Sequence, residues 1–253
     1  MKKLSFLILT FLFSCTNPSP STNFDFTTTF EKSNGTETAT YFETITYYKN
    51  LANLYPEISV REIGTTDSGY PLHLVIFSAS KEFNFNKLQQ KNIILINNGI
   101  HPGESDGIDA TMLLLRDIVQ NSDQIKLLKN TVLAIIPIYN VGGSLNRNST
   151  TRTNQNGPKE YGFRGNARNF DLNRDFIKSD TKNAKSFAEI FHNVNPDIFI
   201  DNHVSNGADY QYAITHLFTQ HNKLGNNLGL FIEQVMRPSI EASLLEKGIL
   251  ITP

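Results

Sequence analysis

One cysteine, Cys15, stands in a chain of 253 residues, so no disulfide can form within it and the fold must hold without one. Charge of one sign is not in excess either. The 23 basic and 24 acidic residues leave a formal net charge of -1, which gives no electrostatic case for nucleic acid as a partner. The apolar run at residues 4–13 is too short to cross a bilayer, and there is no internal repeat. What remains is 39% hydrophobic, enough to bury a core, in a length that suits one large α/β domain better than two small ones.

Lys2 and Lys3 precede that short apolar run, the layout of a secretory signal. The run ends Leu12-Phe13-Ser14-Cys15, which resembles the bacterial lipoprotein signal, in which the cysteine becomes the lipidated first residue of the mature chain. This implies a signal peptide over 1–14 and a membrane-anchored lipoprotein on the periplasmic or cell-surface side, attached to the membrane only through Cys15. An ordinary secretory signal with an incidental cysteine is the alternative. The stretch "TNPSPSTNFDFTTT" is too polar and proline-rich to build a core and reads as part of a flexible tether, 15–29. A folded domain is expected over 30–253.

Tyr41, Ile45, Tyr48 and Leu51 recur at helical spacing before Pro56, which predicts an amphipathic helix. A hairpin should follow, "SVREIG" and "LHLVIFS" around a turn containing Gly69 and Pro71. Beyond it the pattern alternates: strand 93–97, helix near 104–119, strand 132–138, a long loop, helix 183–191, strand 197–200. The fold class is therefore α/β, a mixed, largely parallel twisted sheet flanked by helices. "IILI", "VLAIIPI" and "DIFI" are continuously apolar, as expected of strands covered on both faces. The loop 139–175 far exceeds the roughly dozen residues usual for structureless connections, and such loops tend to be functional.

Three loops at the carboxyl ends of predicted parallel strands carry the polar residues: "HPGE", the Arg/Asn-rich loop, and "DNHVSNG". Parallel strands share a direction, so these loops meet at one sheet edge. His101 and Glu104 stand three apart where a turn becomes a helix, so both side chains can aim at one point. With a remote His203 they would form a His, Glu, His metal set with one position left for water. Glu104 as a favourable first-turn helix charge, and His101 as a hydrogen-bonded surface residue, are the alternatives at this point. Asp201 could orient a ligand from behind it or cap a strand end.

"HPGES", "DLNRDF" and "DNH", in this order and behind the helix-and-hairpin opening, resemble the zinc carboxypeptidases of the funnelin type; the likeness covers about 40–210. The resemblance implies one Zn2+ ion held by His101, Glu104 and His203. It implies that Asn173 and Arg174 grip the terminal carboxylate of a peptide substrate, as a planar guanidinium can by two parallel bonds. It also implies an upstream arginine that stabilises the oxyanion. "RGNARNFDLNR" selects Arg164 for that role, with Arg152 in "TRTNQ" second; at most one of Arg152, Arg164 and Arg168 is expected to act, the others being solvated loop residues.

The family's general-base glutamate lies some seventy residues after the last zinc ligand by that resemblance, whereas only fifty residues follow His203 here. Glu233, Glu241 and Glu246 fall in a helical stretch with a proline break and are not assigned to it. "KGILITP" reads as the start of a strand, so the expectation is a domain incomplete at its C-terminus, with the base beyond residue 253 and weak hydrolysis by this chain. An amidohydrolase of the aspartoacylase or succinylglutamate-desuccinylase kind, which shares HxxE, a distal His and an Asn/Arg grip, stays open. So does an inactive peptide-binding lipoprotein.

Overall fold

The computed structural model describes residues 24–205 and 208–252. The signal segment and Cys15 lie outside them. The chain divides after Val204 into two compact units, Met1–Val204 and Ser205–Pro253.

In the first unit, helices α1 (Thr29–Lys32) and α2 (Tyr41–Leu54) each start on a capping box, Thr28 with Glu31 and Thr40 with Glu43, which satisfies otherwise orphaned backbone donors. The spaced residues Tyr41, Ile45, Tyr48 and Leu51 all turn to the buried face of α2. The hairpin follows as β1 (Ile58–Ile63) and β2 (Leu72–Ser78), then β3 (Asn92–Asn97), α3 (Asp106–Val119), a short α4 (Ser122–Leu127) and β4 (Thr131–Ile136). The long loop holds a short helix α5 (Val141–Leu145), a two-stranded ribbon of β5 (Arg147–Asn148) and β6 (Tyr161–Gly162), and a single 3-10 turn, Leu172–Arg174. Helix α6 (Lys182–Val194) and strand β7 (Ile198–Asp201) complete the unit.

The sheet runs β1-β2-β4-β3-β7. Its first three strands pair antiparallel and its last three parallel, so the sheet is mixed, and the parallel half delivers the loops that carry the polar residues. Helix α6 packs on β1, β2 and β3, while α2 packs on β1 and α3. Tyr47 and Tyr48 tie α2 to α3 by hydrogen bonds to Met112 O (3.1 Å) and Thr111 Oγ1 (3.1 Å).

Two expectations need correction. Within 24–29, assigned to the tether on composition, Phe26 and Thr28 are buried: Phe26 lies edge-on against Tyr47, and its carbonyl accepts from Arg116 (3.1 Å). A pair of phenylalanines in a polar stretch was enough apolar surface to dock it. The third apolar strand, β7, is not covered on both faces, because among the described residues it forms the edge of the five-stranded sheet, with Phe199 and Ile200 substantially exposed.

In the second unit, β8 (Ile214–Thr215) pairs parallel with β9 (Ile251–Thr252). Between them a helical run comprises α7 (Asn226–Phe231), a π-turn (Ile232–Met236) and α8 (Arg237–Leu245). Pro238, where a break was expected, lies two residues past the π-turn that interrupts the α-helical pattern, and the backbone on both sides of it is helical. Among the described residues no helix is long and apolar enough to cross a membrane.

Candidate metal centre

The chain leaves β3 and makes one tight turn before α3, closed by Glu104 N donating to His101 O (2.8 Å). That turn sets two side chains three residues apart on one side, with His101 Nδ1 and Glu104 Oε1 separated by 3.1 Å. Glu104 does not serve as the first-turn charge of α3. The helix begins two residues later, and Asp106 and Asp109 occupy that role. His101 is likewise no surface residue: it is 2% exposed and Glu104 3%. Gly103 permits the closeness, since a Cβ there would lie 2.6 Å from Arg152 Cδ and 3.0 Å from Gly162 O, so the β5–β6 loop closes directly over the turn.

His203 arrives from the far end of the chain, two residues past Asp201 in β7. Its Nδ1 lies 3.0 Å from Glu104 Oε2, and the backbone N–H of Val204 donates to the same oxygen (3.2 Å). The outward nitrogens are both tied to carboxylates: His101 Nε2 to Asp171 Oδ1 and His203 Nε2 to Asp201 Oδ2, each at 3.1 Å. Asp171 and Asp201 thus accept at the outward nitrogens, and each Nδ1 is turned toward Glu104. One donor atom from each of His101, Glu104 and His203 lies within 4.8 Å of the others.

Burial works to raise the Glu104 pKa, but hydrogen bonds from the two imidazoles and Val204 prevail and hold its carboxyl well below the usual range. The hydrogen bond to Asp201, then that to Glu104, push His203 up to about 9, against the smaller effect of burial. Asp171 is lowered in the same way as Glu104, burial being outweighed by His101 and Arg164. Two imidazole nitrogens facing an ionised carboxylate at these separations, each backed by a carboxylate on its other nitrogen, fit a divalent cation such as zinc.

Both candidate arginines border the cluster. Arg164 Nη1 is 3.3 Å from His101 Nδ1, while its Nε and Nη2 donate to Asp171 Oδ2 at 3.1 and 2.9 Å. Arg152 Nη2 donates to Glu104 Oε1 at 3.0 Å. Arg168 is turned away, over the ring of Phe170. Asn173 and Arg174 lie on the 3-10 turn that follows Asp171; Asn173 N donates to Asp171 Oδ1 (2.9 Å), and the exposed Arg174 donates to the Asn173 carbonyl (2.9 Å). Sequence reasoning overlooked Asp171. Its signal was its place in "DLNRDF", but nothing local showed that it reaches back to His101.

The family model for zinc carboxypeptidases, the M14 peptidases, matches residues 44–210. Carboxypeptidase 2 of Trichophyton rubrum is 26% identical over 191 residues, 72% of this chain and 33% of that protein; the chain thus spans about a third of the length of the curated relatives it matches. Among solved structures, a metallo-carboxypeptidase from Burkholderia cenocepacia superposes with a TM-score of 0.52 at 21% identity, covering 67% of this chain and 42% of its own. Bovine thrombin-activatable fibrinolysis inhibitor, solved with a tick carboxypeptidase inhibitor, gives 0.59 at 17% identity, covering 85% and 75%. These two share the fold. With the family model matched across two thirds of its length and a His, Glu, His cluster at the heart of that match, this chain belongs to the zinc carboxypeptidase family.

Proposed function

We propose that the chain provides the metal centre of a metallocarboxypeptidase that removes C-terminal residues from peptides, with a single zinc ion held by His101, Glu104 and His203. The observation that carries this is the convergence of two Nδ1 atoms on Glu104 while both Nε2 atoms are tied to carboxylates. Bound there, zinc supplies a Lewis acid that lowers the pKa of a water to about 7 and polarises the scissile carbonyl.

The chain's own residues supply the rest. Asp171 and Asp201 engage the Nε2 atoms and so turn both Nδ1 atoms toward one point. Arg174, exposed on its turn with Asn173 beside it, is assigned to the free carboxylate of the substrate, where a guanidinium can make two parallel bonds. Arg164 is assigned to the charge that develops on the carbonyl oxygen, with Arg152 the alternate. Arg152 is already engaged on Glu104, which favours Arg164, although Arg164 shares its guanidinium with Asp171. The general base is not assigned: Glu233 is paired with Arg237 and His221, and Glu241 lies beside His216 and Arg237. Attachment at Cys15 on the outer face of a membrane, with no other membrane contact, belongs to the same proposal and rests on the signal-like sequence; absence of label from a fatty-acid analogue would refute it.

The test is elemental analysis and a hydrolysis assay on one sample. Expected are one zinc per chain, a weak hydrolysis that is lost on chelation, and a preference for peptides with a free over an amidated C-terminus. Turnover of N-acyl amino acids instead would transfer the reading to an amidohydrolase. Zinc without any turnover, in the chain and in the complete gene product, would leave a peptide-binding protein.

A further inference from the structure

Asn97 ends β3 and Asn98 follows it, and the structure gives the two asparagines different work. Asn98 Oδ1 accepts from Asn202 Nδ2 (2.7 Å), and its own Nδ2 donates to Thr111 Oγ1 (3.0 Å) on α3, where Tyr48 also donates. This branch fastens the end of β7 to the helical layer. It is tightly built, because a Cβ on Gly107 would lie 2.5 Å from Asn202 Cβ and 2.7 Å from Asn98 Oδ1.

Asn97 faces the other way, as successive residues of an extended chain must. It pairs in register with Asp201 of β7, and its carbonyl accepts from Asn202 N (2.9 Å). Its Nδ2 donates to Asp201 Oδ1 (2.8 Å), and the second oxygen of that carboxylate holds His203 Nε2. Asn97 is fully buried, and among the described residues its Oδ1 has no hydrogen-bond partner. The amide cannot be turned over without setting its oxygen against the Asp201 carboxylate, acceptor facing acceptor. A buried acceptor without a partner lowers stability, and an apolar side chain of the same shape would remove that cost. The bond to Asp201 is therefore the interaction that calls for an amide at this position.

We infer that Asn97 is a positioning residue for the metal centre: by fixing Asp201 across the β3–β7 pair, it fixes the ring and tautomer of His203. The inference rests on the reading of His101, Glu104 and His203 as metal ligands. It gives β3 two tasks, since the same strand end leads covalently into the His101–Glu104 turn and reaches sideways to the support of the third ligand. The relative placement of ligands 99 residues apart thus depends on one amide.

The opposed effects on stability and on metal make the test. Zinc affinity of the chain and of Asn97→Leu would be measured by competition with a chromogenic chelator, alongside the visible spectrum of the cobalt-loaded forms and the melting temperature without metal. Expected are a roughly 10–100-fold weaker zinc affinity and an altered cobalt spectrum, with a metal-free melting temperature equal to or above wild type. In an Asp201→Ala background, Asn97→Leu should shift affinity by less than about two-fold, because the path through Asp201 is already cut. Asn97→Ala, read in the same way, serves if leucine cannot be accommodated. Wild-type affinity and spectrum in the variant would overturn the inference. So would an affinity loss that persists in the Asp201→Ala background, or one matched by a fall in metal-free stability. Failure of the unaltered chain to bind zinc would instead overturn the ligand assignment and this inference with it.

Discussion

Strands β3 and β7 are parallel neighbours with similar apolar sequences, and each leads to one of the two histidines, yet they differ sharply in burial. Leu95 and Phe199 are partners in register; Leu95 is 0% exposed and Phe199 38%. The contrast continues past the strand ends, where His101 is 2% exposed and the His203 side chain 33%. The reason is position: β3 lies between β4 and β7, whereas β7 is the edge of the described sheet. A buried histidine is held by its surroundings on all sides. A half-exposed one needs explicit partners, and His203 has two carboxylates and, through Asp201, the amide of Asn97.

If that contrast is right, the two halves of the centre should fail differently. His203→Ala removes a direct ligand and should weaken zinc binding by more than the roughly 100-fold ceiling typical of outer partners, which chelator competition checks. Unchanged metal content in that variant would break the assignment. Leu95→Ala should cost about 2–5 kcal/mol, and Phe199→Ala at the same register about 1 kcal/mol, since the edge position can relax toward solvent. Paired urea titrations read this, and equal losses would remove the distinction between centre and edge.

The pH response sharpens the comparison further. With its pKa raised from 6.5 to about 9, His203 contributes stability to the metal-free chain that is complete below pH 6.5 and fades as pH rises through 9. Zinc affinity should rise over the same window, because the metal must displace that proton. Melting curves from pH 6 to 10 should show the decline, and His203→Ala should flatten it. The smallest effect lies behind the buried half, at Asp109 on α3, which accepts from Thr38 and which burial pushes up from 3.8 to about 6. Its raised value means a contribution complete below pH 3.8 and lost as pH rises through 6, so Asp109→Asn should stabilise by on the order of 1 kcal/mol at pH 7 and by almost nothing at pH 4 in urea titrations.

Much of this was legible beforehand for a local reason. The helix from Tyr41, the hairpin and the strand ending at Asn97 follow from period and punctuation, which act over a few residues; the following strand, read to residue 138, ends at Ile136. His101 and Glu104 were legible because three residues and one turn bring them together. The ribbon and short helix in the long loop were not, having no period long enough to read. Nor was the docking of Phe26, which depends on Tyr47, a partner twenty-one residues away.

The choice between Arg152 and Arg164 shows the same boundary. Both sit in suggestive motifs, but their contacts are made with Glu104 and with Asp171 and His101, which no spacing rule reveals. Asp171 was passed over because its role comes from a hydrogen bond spanning seventy residues.

The sequence by itself determined the longer strands and helices of the first unit and the identity of the groups at each strand end, because hydrophobic period and turn residues act locally. Only the tertiary structure decided which nitrogen of each histidine faces Glu104, which carboxylate stands behind it, and that Asn97 supports His203. Those depend on strand register and on directional bonds between residues remote in the chain, and a linear pattern carries neither.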